Sequence, residues 1–142
     1  MKLIISTIVT AIVLFVLGWV IYGMILMEYF QTHMGHLMRP ETDFKMWAYI
    51  VGNLLQALML SIIYSKYFMK GVSPAKEGLS FGFIIGFLLA LPYVFYYWGG
   101  TKVTWQPVLL DGVLMGIMIV IAGLVIGLVY GKAKVPPAES TA

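Results

Sequence analysis

The chain has 142 residues, of which 61% are hydrophobic and 11% charged, with a net charge of +3 and no cysteine; its mean hydropathy is +0.95. So apolar a composition excludes a water-soluble domain, and the missing thiols exclude disulfides, thiolate metal sites and cysteine nucleophiles. The excess positive charge is scattered over connecting segments, which suits membrane topology and argues against a nucleic-acid partner.

Four runs, 3–27, 46–66, 79–98 and 107–131, meet the requirement of roughly 20 mostly apolar residues for a membrane-crossing helix. The linkers leave no room for a soluble domain. The expected fold is therefore all-α, a polytopic membrane protein with four transmembrane helices in one bundle over residues 1–131. Lys2 before an apolar run resembles a secretory signal, but the run outlasts the roughly 7 to 15 residues of a signal core and no small-residue cleavage pattern follows. It is read as the first span. Lys2, Lys66, Lys70, Lys76, Lys132 and Lys134 fall on one side, against Arg39, Lys45 and Lys102 on the other. This asymmetry places both termini in the cytoplasm, and Trp19, Trp47, Trp98 and Trp105 then form a belt at the outer interface.

Along the first run Ser6, Thr10 and Gly18 share one face while Leu, Ile and Val fill the rest. It leads into the segment from Gly18 to Met38, where Glu28 and the chain's two histidines, His33 and His36, are interleaved with Met24, Met27, Met34 and Met38. Glu28 is read as closing the first helix, where a negative charge opposes the dipole and calls for a partner such as Arg39, Lys45 or a histidine. In the connection from Tyr29 to Lys45, Pro40 disfavours helix before it, and Thr42 or Asp43 suits the cap of the next helix.

The second run sets Asn53, Ala57, Ser61 and Ser65 four apart, with Gln56 three from Asn53. Side-chain amides in hydrocarbon need partners, but such interhelical hydrogen bonds average only about 0.6 kcal/mol, so the stripe reads first as packing. The third run repeats Gly78, Gly82, Gly86 and Ala90 at intervals of four, which lets a neighbouring helix approach closely. Pro92 then removes a helical hydrogen bond below the aromatic stretch 93–98. In the fourth run Pro107 suits the first turn, and Asp111 follows about 6 Å along the axis. An acid in a membrane segment is a functional candidate, although the helix dipole and interfacial water also stabilise a carboxylate there. Gly112, Gly116, Gly123 and Gly127 clear one face of this helix. The third and fourth helices are thus expected to pack tightly, on each other or on a second subunit. Residues 132–142, with Pro136 and Pro137 and no apolar periodicity, read as a disordered cytoplasmic tail.

The run FVLGWVIYGMILMEYF, followed by the glycine-spaced third helix and the glycine-rich fourth, resembles uncharacterised families of small four-helix bacterial inner-membrane proteins. The resemblance spans the chain and implies a four-span bundle in the inner membrane. It implies no catalytic residues.

Under this topology Glu28, His33, His36, Asn53, Gln56 and Asp111 all lie toward the outer side. The expected function is helix association, as an accessory subunit of a larger membrane complex or as a homo-oligomer, with the bilayer and other membrane subunits or itself as partners. One alternative is transport of a small solute or ion past Asp111, Asn53 and Gln56. Another is metal or cofactor binding by His33, His36, Met34 and Met38, since thioether sulfurs prefer copper(I). No enzyme is expected, because no nucleophile motif, phosphate loop or second fixed carboxylate accompanies these groups. Nor is a resident cofactor.

Overall fold

The structure, a computed structural model, describes residues 1–132; the expected tail beyond them lies outside the described residues. Its helices are α1 (Lys2–Val20), continued by a π-helical turn (Ile21–Ile25), α2 (Met27–Met34), α3 (Met46–Ile63), continued by a second π-helical turn (Tyr64–Phe68), α4 (Pro74–Gly100) and α5 (Trp105–Tyr130). Two 3-10 turns, Gly35–Leu37 and Glu41–Asp43, join α2 to α3, and no strand occurs among the described residues. Four segments are long and apolar enough to cross a membrane: Lys2–Ile25, Met46–Phe68, Pro74–Gly100 and Trp105–Tyr130.

The long helices run alternately up and down, so the bundle has a termini end, where α1 starts and α5 finishes, and an α2 end. All four tryptophans lie toward the α2 end and are at least half exposed, from 51% at Trp98 to 67% at Trp47. A ring of indoles at a membrane interface needs that placement.

Helices α4 and α5 form the most extensive pair. Inside a bilayer no hydrophobic force drives helices together, so contact depends on how closely two backbones approach. Here glycine removes the obstacle. A Cβ built on Gly82 would lie 2.7 Å from Val120 Cα, one on Gly86 2.9 Å from the Gly116 carbonyl, and one on Gly123 2.6 Å from Gly82 Cα. Gly78 faces Gly123 and Gly127, and Gly112 faces Val94. These glycines are engaged within the chain.

The core of the termini half gathers Leu14, Leu60, Tyr64, Phe81, Ile119 and Ile126 from all four long segments. Ser6 and Ser61, both fully buried, share a hydrogen bond of 2.9 Å between α1 and α3. At the same end Lys2 Nζ donates to the Tyr130 carbonyl, 2.5 Å away, and thereby caps α5. Three buried hydroxyls, on Thr7, Thr10 and Tyr64, lack a hydrogen-bond partner among the described residues.

Helix α3 is the peripheral element: it packs chiefly on α1, touches α5 slightly and reaches α4 through the π-helical turn that continues it, where Tyr64 and Phe68 pack on Phe81. Its connection to α4 is nevertheless well ordered by one side chain. The Glu77 carboxylate accepts the backbone N–H groups of Lys70, Gly71, Val72 and Ser73 at 2.9 to 3.0 Å. Gly71 supplies the positive φ, 76°, that this turn requires. Helix α4 therefore starts at Pro74, within what reads from sequence as a loop, with proline in the first turn where its missing N–H loses nothing.

Candidate functional site

The apolar run that leaves α1 does not continue as one helix to Met27. It widens into the π-helical turn, where the Leu26 N–H reaches back five residues to the Ile21 carbonyl at 2.8 Å. Leu26 then breaks the helix with φ −113° and ψ 13°, and α2 begins. A π turn carries one extra residue and re-aims the side chains on it. The side chain re-aimed here is Tyr22, whose hydroxyl donates to Asp111 Oδ1 at 2.7 Å.

The other carboxylate oxygen of Asp111 accepts the hydroxyl of Tyr93 from α4. Tyr93 follows Pro92, which has no N–H to offer the Leu88 carbonyl, so this donor too stands beside an irregular point in its helix. One carboxylate in the second turn of α5 is thus held by phenols from α1 and α4. Their aromatic neighbours are Phe30, 5.2 Å from the Tyr22 ring, and Tyr97, 5.4 Å from the Tyr93 ring. Asp111 remains partly exposed.

Helix α2 covers this end of the bundle. Phe30 and Met34, one turn apart, are buried against Val103 and Val108, while Glu28, Gln31, Thr32 and His33 face outward. This corrects the sequence reading of Glu28. It does not close the first helix; it stands in the first turn of α2, where a negative charge suits the dipole. Arg39 and Lys45 are not its partners, because both pair with Asp43 at 2.5 Å. Lys45 first and Arg39 second hold the Asp43 carboxyl below the usual range. Asp43 consequently does not cap α3, which begins after Lys45 without a side-chain cap.

The residues read as a candidate metal set do not converge. Met34 turns into the bundle, whereas His33, His36 and Met38 are exposed. His33 Nδ1 donates to the Tyr29 carbonyl at 2.8 Å, and its ring lies 4.3 Å from that of Tyr29. No group of three His, Asp or Glu side chains poised around a common point occurs among the described residues.

On α3, Ala57 and Ser61 are buried against α1, but Asn53 and Gln56 are partly exposed and neither amide has a hydrogen-bond partner among the described residues. Neither makes a hydrogen bond to Asp111, whose partners among the described residues are Tyr22 and Tyr93. The open groove between α4 and α5, walled by Phe83, Phe87, Leu109 and Val113, is apolar and offers a ligand no polar anchor.

Tyr22, Tyr93 and Glu77 escape sequence reading. Tyrosine in an apolar helix is ordinary, and pairing across 89 residues leaves no local pattern. Glu77 had a usable signal, since Ser73-Pro74 followed by an acid marks a helix start. The chain matches no family model, no curated protein and no solved structure.

Proposed function

We propose that the protein works by association in the membrane, binding another membrane-spanning helix along the face of α3 that carries Asn53 and Gln56. The observation that carries this reading is the pair of amides without a partner. Gln56 lies ten residues beyond Met46, about 15 Å along the axis, which is half of the roughly 30 Å hydrocarbon core. An amide that finds no hydrogen bond there costs at least about 1 to 3 kcal/mol. Gly52 stands one turn from Gln56, and a Cβ built on it would meet nothing within 4 Å. The face therefore offers both the room for a close backbone and the polar groups to bond it. Because an amide donates and accepts, a second copy can satisfy it symmetrically.

This reading gives the protein no catalytic role and no resident cofactor, and places it in the bacterial inner membrane with both termini cytoplasmic, as the lysine asymmetry favours. Conduction through a single protomer fits less well. Below Asp111 the core is filled by Leu14, Phe81, Ile119 and Ile126, and the polar groups buried with them are the hydroxyls of Ser6, Thr7, Thr10, Ser61 and Tyr64, none of them a charged side chain.

The test is native mass spectrometry of the full chain, extracted gently from its own membranes through a C-terminal tag, alongside the double variant Asn53→Leu/Gln56→Leu. Wild type is expected with a fixed complement of partner, its own copy or another subunit. The variant should emerge as a monomer that melts no lower than wild-type monomer, since it loses two unbonded amides. A wild-type protein that is monomeric and alone, or a variant with undiminished partner content, refutes the reading.

A further inference from the structure

The α3 face leaves the converging tyrosines and carboxylate unexplained. An ionised carboxylate offers about four lone-pair sites to donors. At Asp111 two are occupied, by Tyr22 and Tyr93. No cationic side chain supplies the others: the ion pairs among the described residues are Arg39 and Lys45 on Asp43, at the surface. Intramembrane carboxylates ordinarily pair with a cation or mark a ligand pathway. This one keeps part of its surface open.

We propose that Asp111, Tyr22 and Tyr93 form a binding site for a small organic ammonium ion. The ammonium N–H groups complete the hydrogen bonding of the carboxylate, and the organic group lies against aromatic rings. Those rings are present on both flanks, Tyr22, backed by the buried Phe30, and Tyr93 with Tyr97, and ring faces attract organic cations. A hard metal cation fits poorly. It needs about six or more oxygen ligands, and the two phenol groups already direct their protons at the carboxylate. The two phenols are positioning residues for the anion as well as walls for the ligand.

A purely structural clamp, in which the carboxylate only ties α1 and α4 to α5, predicts no preference for a positive probe. The experiment compares benzylammonium with benzyl alcohol, nearly equal in shape and different in charge. Both are titrated by calorimetry at pH 7 into the full chain in phosphatidylcholine nanodiscs, with empty nanodiscs as reference. Saturable binding of benzylammonium, with none of benzyl alcohol in excess of the lipid reference, is expected. Asp111→Asn, checked for its helical content and melting, should weaken benzylammonium about 30-fold or more, the usual effect of removing one partner of a desolvated charge pair. Tyr22→Phe and Tyr93→Phe should each weaken it several-fold and leave the stoichiometry unchanged. Equal uptake of the two probes by wild type overturns the proposal whether or not the variants fold. So does benzylammonium binding that survives Asp111→Asn, which moves the site to Glu28, Glu41 or another surface acid.

Discussion

Replacing Gly82 by alanine adds one methyl group to α4 where it lies close against the backbone of α5. That carbon would sit 2.7 Å from Val120 Cα, 2.8 Å from the Ile119 carbonyl oxygen and 2.9 Å from that of Val120. Carbon atoms rest about 3.5 to 4.0 Å apart, so the helices must part by roughly 0.8 Å, the difference between 3.5 and 2.7 Å. All three obstructing atoms belong to backbone, so no rotamer change relieves the clash. Overpacking of this kind costs about 1 to 3 kcal/mol, and the better helix propensity of alanine offsets up to about 1 kcal/mol. With the full offset the expected net loss is up to about 2 kcal/mol, a change of up to roughly 30-fold in the folded ratio. Gly52→Ala is the control, because its Cβ meets nothing within 4 Å. Both variants are unfolded reversibly as monomers by titrating sodium dodecyl sulfate into mixed micelles, with tryptophan fluorescence as the signal. Gly82→Ala should shift the midpoint to lower denaturant and Gly52→Ala should not. A Gly82→Ala midpoint equal to or above that of Gly52→Ala would show that α4 and α5 do not depend on this approach.

The buried serine pair makes a second test. Ser6→Ala or Ser61→Ala alone leaves one hydroxyl without its partner and should destabilise by about 1 to 2 kcal/mol. A double-mutant cycle should recover a coupling near 0.6 kcal/mol, the usual scale for such bonds in membranes; zero coupling rejects the bond. The Asp43 turn should respond to acid. Its folded carboxyl titrates below the unfolded value of about 4, so its contribution is complete above that pH and is lost as pH falls through the lower, folded value. Protection of the amides over residues 40–46, relative to their intrinsic exchange, should therefore fall only below about pH 4, and in Asp43→Asn it should be low at every pH.

Hydropathy locates membrane segments well because one quantity, about 20 apolar residues, governs both the sequence and the structure. It carries no information on where an apolar stretch changes its winding. The first run stays apolar through Met27, so the break at Leu26 is invisible in it and Glu28 is read onto the wrong helix end. Short-range chemistry misleads in the same region. Asp43 looks like a cap by position, yet two neighbouring cations compete for its carboxylate and win. Asp111 stands out in the sequence because charge is rare in such a segment, whereas its phenol donors are set by the π turn and by the crossing of α1, α4 and α5. Asn53 and Ser61 lie on one stripe in sequence, but Ala57 and Ser61 are buried while Asn53 is partly exposed, so the same spacing yields a satisfied serine and an unbonded amide.

The Glu77 elbow bears on how two copies of this chain can join. Residues 69–73 are the natural hinge at which the part of the chain before them would swing out to dock on a neighbouring molecule in exchange. Domain swapping of that kind proceeds when a hinge straightens at little cost. Here straightening breaks four N–H bonds to one carboxylate at once, whereas the packing of Tyr64 and Phe68 on Phe81 of α4 can re-form between two copies. The carboxylate thus acts as a lock against exchange, and copies that meet along α3 do so side by side, each with its own helices. Glu77→Ala releases the lock. Mixed tagged and untagged chains should then form slowly exchanging, interlocked dimers that wild type does not, and their absence would assign the order of this turn to the rest of the bundle.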